Sequence, residues 1–591
     1  MNTEDRINIV GKNINEKANL IWSVANSLYG AYKPHEYGLV ILPMVVVKRF
    51  HDCLLPTRDK VLETYETVKK FAVYDVFLRK VSGYHFYNTS KFTFEKLKAD
   101  PENIKANFEN YINGFSDNVI DILANMGFFT QIERMADAGV LYQVIDDFCK
   151  EDANMDPEII SALDMGYIFE NLVQRFSESY NEEAGAHFTS RDIIYLMCDL
   201  LTDTADFSQE NEVAKTVYDM AMGTSQMLTC MEERIHDLDA DADIISYGQE
   251  INPFTFGIAK ADMLIRGGNP DNMQFGDTLN NDKFTGYTFD YIISNPPFGI
   301  DWKREAKDVE EEHKKGDAGR FGAGLPPKSD GQMLFLQNGI SKLKDTGRMA
   351  IIQNGSSLFT GDAGSGPSEI RRYILENDWL DAIVQLPNDS FYNTGIATYI
   401  WIVTKNKPEE HSGKVLLIDA SNCYVQRRKN IGNKRVDITD DCRNMIVKAY
   451  GNYVTKNYEG TTSDDKTIIC KCKLKDTVEF GYNKIVVESP LLDENGEPVK
   501  KGKKIVADKS KRDTENVPLD EDIDEYFERE VIPYNPNAWI DKKKTKPGYE
   551  IPFTRTFYEY KQIEPSDVIA ARIEEHEKSL MAKLHDLFGG E

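Results

Sequence analysis

The chain runs to 591 residues, 41% of them hydrophobic and 28% charged, with a formal net charge of -27. That length and apolar content suit three or four globular domains and exclude global disorder. No run reaches the ~20 apolar residues of a membrane helix, and the polar start Met1-Asn2-Thr3-Glu4-Asp5 is not a signal peptide, so a cytoplasmic protein with no membrane association is expected.

Residues 1–156 read as an N-terminal α-helical domain. Ile21, Val24, Ala25 and Leu28 recur at helix spacing, and residues 39–47 are apolar enough for a buried helix kinked at Pro43. From 157 to 407 strands alternate with helical stretches. The strands are centred on Val217-Tyr218, Ile244-Ile245, Met273-Gln274, Tyr291-Ile292, Met349-Ala350, Ala382-Ile383 and Ile400-Trp401. This alternation predicts an α/β fold with a doubly wound, Rossmann-like sheet of seven strands. Residues 303–328, charged and then rich in glycine with Pro326-Pro327, read as a mobile loop beside the active site. Residues 408–562 read as an irregular extension whose stretch 493–522 is an exposed charged excursion. Residues 563–591 read as a C-terminal helical extension: Ser566 can cap a helix whose Ile569, Ile573, Leu580, Leu584 and Leu587 form one stripe, more often packed on its own domain than on a partner helix.

The eight cysteines are scattered, and the close pair Cys470 and Cys472 lacks the spacing and the second pair of a zinc site. Reduced thiols and no metal are expected. The acidic balance argues against a chain that grips nucleic acid alone and for one that works with a partner. Basic clusters survive at Arg427-Arg428-Lys429 with Lys434-Arg435, at Lys500-Lys501 with Lys503-Lys504, and at Lys542-Lys543-Lys544. Each is more often a solvated loop than a phosphate track.

The strand ends carry the chemistry. After the first strand, Asp219-Met220-Ala221-Met222-Gly223-Thr224-Ser225 is a small-residue turn that lets a cofactor approach the backbone. Glu250 follows the second strand and can take both hydroxyls of a ribose or stand as a solvated acid. Asp277 follows the third and can accept from an adenine amine. The fourth strand closes on Asn295-Pro296-Pro297-Phe298. Its prolines hold the chain extended, so that the Asn295 oxygen and the Pro296 carbonyl form a rigid pair of acceptors beside the Phe298 ring. That set suits a planar base with an exocyclic amine swung out of a duplex; a plain strand-terminating turn is the other reading.

Taken with Phe188-Thr189-Ser190-Arg191, Gly248-Gln249-Glu250-Ile251-Asn252-Pro253, Gly276-Asp277-Thr278-Leu279, Asn354-Gly355-Ser356 and 358–364, these motifs resemble the modification (methyltransferase) subunits of type I restriction-modification systems. The resemblance covers the central domain. It implies an S-adenosylmethionine-dependent, site-specific adenine-N6 DNA methyltransferase that releases S-adenosylhomocysteine and needs no metal or covalent intermediate. It further implies that Asn295, Pro296, Pro297 and Phe298 are catalytic. His187, Phe188, Thr189, Asp219, Gly223, Thr224, Ser225, Glu250, Asp277, Thr278, Leu279 and Asn295 would hold the cofactor, with Glu250 on the ribose and Asp277 on the adenine. The implied partners are double-stranded DNA, a specificity subunit serving two such chains, and a restriction motor-nuclease subunit. The sequence departs from the family pattern at Met220, Ser225 and Gln226, where Pro and a second Gly are usual, and at Ser190, where Pro commonly follows the threonine. Two other readings stay open: methylation of cytosine N4 or of a protein glutamine, which the same string serves, and a DNA-recognition scaffold whose altered turn no longer binds cofactor.

Overall fold

A computed structural model describes residue 20 and residues 23–179, 189–203, 214–502, 504–560 and 564–588. The seven expected strands are β1 (Lys215–Asp219), β2 (Ile244–Glu250), β3 (Met273–Phe275), β4 (Phe289–Ser294), β5 (Leu343–Asn354), β6 (Leu380–Gln385) and β7 (Thr398–Thr404). They lie side by side in the order β3-β2-β1-β4-β5-β7-β6. Strands β3, β2, β1, β4 and β5 are mutually parallel, and β7 runs antiparallel between β5 and β6. Direction of progress through the sheet reverses beside β1, the place where doubly wound sheets bind ligands.

The sheet does not stop at seven strands or at residue 407. Strand β8 (Lys414–Asp419) adds parallel to β6, β9 (Val425–Ile431) and β10 (Lys434–Asp437) form a separate hairpin, and β11 (Lys456–Thr461) and β12 (Thr467–Asp476) continue the sheet to ten strands. Strand β8 is an apolar run, Val415-Leu416-Leu417-Ile418, fully buried. In β12 the period is two, with Ile468, Cys470 and Cys472 turned inward between exposed or half-buried neighbours, a pattern that its lysines obscure in composition. Nor is the rest of 408–562 irregular. Strands β13 (Gly481–Glu488), β14 (Lys500–Lys501), β15 (Lys504–Ile505), β16 (Asp513–Pro518), β17 (Trp539–Ile540) and β18 (Lys546–Tyr549) include a four-stranded antiparallel lobe centred on β13. Ile485, Val487, Val517, Phe527 and Val531 form its own small core.

The helical N-terminal region is present. Its central helix, Gly38–Leu54, buries 16 of 17 residues and carries Pro43 inside it. The charges it buries are paired: Lys48 with Asp52 at 2.6 Å, and Arg49 on the carbonyls of Met155 and Ile160. Helix Ala162–Ser179 belongs to this core through Met165, Ile168, Phe169 and Leu172, past the expected boundary at 156. Helix Pro253–Ile265, which follows β2, adds Ile258, Ala261, Leu264 and Ile265 to the same core, so the helical region and the sheet share a packed face.

Residues 303–328, expected as a mobile loop, hold helix Ala306–His313 and the buried anchors Val309 and Phe321, with buried Trp302 immediately before them. Residues 552–591 form a second unit. It contains the expected helix, Ser566–Phe588, and within this unit the stripe Ile573, Leu580, Leu584 and Leu587 is uncovered, contrary to packing within its own domain. Among the described residues no helix is long and apolar enough to cross a membrane, and no group of three or more His, Cys, Asp or Glu could hold a metal ion.

Candidate active site

Four adjacent strands deliver their loops to one edge of the sheet. Strand β1 ends on Asp219, β2 on Glu250, β3 just before Gly276-Asp277, and β4 on Ser294, directly before Asn295. With Thr189, the residues Asp219, Glu250, Gly276, Asp277 and Asn295 line a cavity of about 330 Å³, at the small end of the ~300–1,000 Å³ typical of small-molecule sites.

Asp219 is fully buried. Its Oδ1 accepts from the Ala221 amide at 3.0 Å and from Ser294 Oγ at 2.6 Å. Burial pushes its carboxyl up to about 7, against the pull of those two bonds. The turn that follows is tight: Gly223 has φ +53° and Ser225 φ +67°. Ser225 therefore takes the left-handed conformation a glycine would take at less cost, and its buried hydroxyl has no hydrogen-bond partner. The turn lies close over β2, where a Cβ on Gly248 would stand 2.2 Å from Met222 Sδ. Glu250 ties the two strand ends together. Its Oε2 accepts from the Gly223 amide at 2.9 Å and its Oε1 from the Asn252 amide at 2.7 Å. Asn252 in turn caps helix Pro253–Ile265 by accepting from the amides of Phe254 and Thr255, with Pro253 at the first helical position. The string Glu250-Ile251-Asn252-Pro253 thus places an acid at a strand end and starts the next helix within four residues.

Asp277 accepts from the Leu279 amide at 2.9 Å. Burial raises its carboxyl above the usual range, and the nearby Glu305 carboxylate adds to the rise. The Asp277 loop is held by a residue that sequence reading did not single out. Arg320 donates to the carbonyls of Thr278 at 2.7 Å and Leu279 at 3.1 Å while pairing with Glu312 at 2.7 Å. Segment 303–328 is therefore strapped to the cavity, and Asp301 and Glu305 stand in its wall.

Asn295 completes the wall. Its Nδ2 donates to Thr189 Oγ1 at 2.9 Å, which leaves Oδ1 buried with no hydrogen-bond partner. A buried amide oxygen without a donor costs roughly 1–3 kcal/mol, and an amine placed in the cavity relieves that cost. The loop beyond is braced from below: the Gly299 amide donates to Asp330 Oδ1 at 3.3 Å, and Ser356 Oγ donates to Asp330 Oδ2 at 3.0 Å.

The family model for N-6 DNA methylase matches residues 161–488, more than half of the chain and the whole of this cavity. The chain belongs to the N-6 DNA methylase family. A second family model, the HsdM N-terminal domain, matches residues 17–148. The methylase subunit of the type I restriction enzyme MjaIX from Methanocaldococcus jannaschii is 29% identical over 269 residues, 45% of this chain and 46% of that protein. The corresponding HindI subunit from Haemophilus influenzae is 29% identical over 277 residues, 46% of this chain and 58% of that protein. The match thus spans about half the length of these curated relatives. Among solved structures, the type I restriction-modification methyltransferase subunit from Streptococcus thermophilus shares the fold at a TM-score of 0.61 and 20% identity, covering 79% of this chain and 97% of that one.

Around this cavity the sequence candidates divide. Thr189, Asp219, Gly223, Thr224, Glu250, Asp277, Thr278, Leu279, Asn295 and Pro297 line the cavity. Ser225 does not; it shapes the turn beneath. Pro296 is buried, and Phe298 is half-buried against the apolar core on which β4 lies. His187 and Phe188 lie outside the described residues. Residues missed by sequence reading include Ser294 and Asp330, whose roles rest on partners 75 and 31 positions away.

Proposed function

We propose that this chain transfers a methyl group from S-adenosylmethionine to the exocyclic nitrogen of an adenine turned out of duplex DNA, as the modification subunit of a type I restriction-modification assembly. The observation that carries this reading is the Asn295 amide oxygen, buried, without a donor, and on the wall of the same cavity as three strand-end acids. The residues present fit the cofactor. Asp219 and the Gly223 turn would suit an ammonium and carboxylate, Glu250 keeps lone pairs for ribose hydroxyls beyond its two amide bonds, and Asp277 would accept from an adenine amine. When bound, S-adenosylmethionine supplies an electrophilic methyl on a sulfonium whose positive charge is lost on transfer.

The protein's contribution is position and electrostatics. An exocyclic amine is a weak nucleophile because its lone pair is delocalised into the ring. Acceptance of its hydrogens by Asn295 Oδ1 and the Pro296 carbonyl draws them from the ring plane and frees that pair. The Thr189 bond keeps the amide from rotating away. Phe298 at the loop's end gives the extruded base a face to stack on, offsetting part of the unstacking cost. Under this reading a specificity subunit supplies the sequence recognition that an acidic chain lacks, two copies of this chain serve each specificity subunit, and a restriction subunit completes the assembly.

Replacement of Asn295 by Ala tests the reading. Methyl transfer to adenine, read as N6-methyladenine by mass analysis of digested DNA, should fall about 10²–10³-fold, while calorimetric binding of S-adenosylmethionine stays close to that of the native chain. Full methylation by the variant would remove Asn295 from the chemistry. A product on cytosine or on protein glutamine would replace adenine as the acceptor.

A further inference from the structure

The lobe built on β13 extends past both family matches, and residues 489–551 belong to neither. Resting on the DNA methyltransferase reading, we infer that the β14–β15 arm of this lobe is a contact for the phosphate backbone of the duplex. Residues 498–512 contain seven lysines and arginines and one acid, Asp508, in a chain of net charge -27. Asp508 is committed internally, accepting from the Ser510 amide and hydroxyl. Among the described residues Lys500, Lys501, Lys504, Lys509 and Lys511 are exposed and have no ion-pair partner. In the two other basic clusters half of the charges are paired: Arg427 with Asp437, Lys434 with Asp192, Lys542 with Asp524, and Lys544 with Glu488 and Asp541.

The arm's geometry makes those charges costly without a counter-charge. Strands β14 and β15 are two residues each, joined through Gly502 at φ +69°, and their register sets Lys501 directly opposite Lys504. Like charges in cross-strand register destabilise a hairpin; backbone bonds between Leu491, Val499 and Val506 brace the base of the arm and leave the Lys501–Lys504 tip to bear the repulsion. A polyanion laid along it reverses the sign of that term.

The lobe is also anchored at the edge of the sheet where Asn295 stands. Fully buried Arg371 donates to the Tyr549 carbonyl of β18 at 2.6 Å and to the carbonyls of Ser357 and Thr360. The Ile551 amide donates to the Leu358 carbonyl, and Lys484 of β13 pairs with Asp362. Those residues follow Asn354-Gly355-Ser356 at the carboxyl end of β5, and Ser356 reaches the loop after Asn295 through Asp330. The arm continues from the opposite end of β13, beyond Glu488, as a basic extension of a lobe that is itself fixed at that edge. It also offsets locally the repulsion that an acidic surface exerts on DNA.

The test is the triple variant Lys500→Gln, Lys501→Gln, Lys504→Gln in the full chain assembled with a specificity subunit, with Lys→Arg at the same three positions as the charge-preserving control. Binding to a fluorescein-labelled duplex of mixed sequence is followed by anisotropy across a salt series. The Gln variant should lose about three from the slope of log K against log salt, about one per phosphate contact removed. The Arg variant should keep the native slope, and S-adenosylmethionine binding should be unchanged in both. Equal slopes for all three proteins would overturn the inference. So would an unchanged slope with salt-dependent loss of a co-expressed specificity subunit, which would make the arm a protein-docking surface. If the native chain in its assembly methylates no DNA, the functional reading itself fails; if it methylates normally and the slopes agree, only the arm's role fails.

Discussion

Asp219 sits at the crossing of stability and function. Its carboxyl is held at about 7 by burial, far above the ~3.9 of an unfolded chain. Below about pH 4 both states keep the proton. Between there and about 7 the unfolded chain ionises while the folded one does not, so folding stability falls as pH rises and the loss is complete above 7. Asp219→Asn keeps an oxygen for the Ser294 and Ala221 donors, both of which reach one atom, and removes the titration. Without ligand, the unfolding free energy of the variant minus that of the native chain should climb between about pH 5 and pH 8 by on the order of 2–4 kcal/mol. Denaturant titrations at several pH values measure it, and a flat difference would mean the carboxyl is not held neutral. At this scale the sequence was legible where a residue's position in its own strand decides its role. Asp219, Glu250, Asp277 and Asn295 announce themselves by following apolar strands. Ser294 and Arg320 do not, because what they hold lies 75 and about 40 positions away.

Segment 303–328 was misread from composition because its charges outnumber its apolar residues. Its order comes from Trp302, Val309 and Phe321, too widely spaced to register as a period, and from Arg320. The other elements were legible to the extent that their apolar pattern was local. Most central strands carry a continuous apolar stretch next to turn residues, whereas β11, β12 and β13 interleave polar and lysine residues with the apolar ones and stay half-exposed, so that composition hides them until pairing is seen. The strap makes a definite prediction. Arg320→Ala removes the donors on the Thr278 and Leu279 carbonyls and leaves Glu312 without its partner, a change worth about 2–4 kcal/mol at a part-buried pair. Hydrogen exchange over 306–321 should speed up, and S-adenosylmethionine affinity should drop about tenfold as the Asp277 wall loosens. Native protection in the variant would show that the apolar anchors suffice.

At the scale of the whole chain, two features point outward: a net charge of -27 and an apolar stripe on helix Ser566–Phe588 that its own unit leaves uncovered. The unit's other helix, Phe553–Thr556, is four residues long, too short to bury a stripe that recurs over Ile573, Leu580, Leu584 and Leu587. Four exposed side chains of that size forgo roughly 1.5–3 kcal/mol each relative to full burial. On the proposed reading, helices of the specificity subunit cover them in the groove-filling mode of amphipathic helices. Deleting the chain from Ser566 onward should therefore cut co-purification with a tagged specificity subunit at least tenfold. S-adenosylmethionine binding by the truncated chain should be unaffected, because every residue lining the cavity lies between Thr189 and Phe335. Full co-purification after truncation would detach the helix from assembly, whereas loss of cofactor binding would mean that the deletion had damaged the fold and that point substitutions in the stripe must decide.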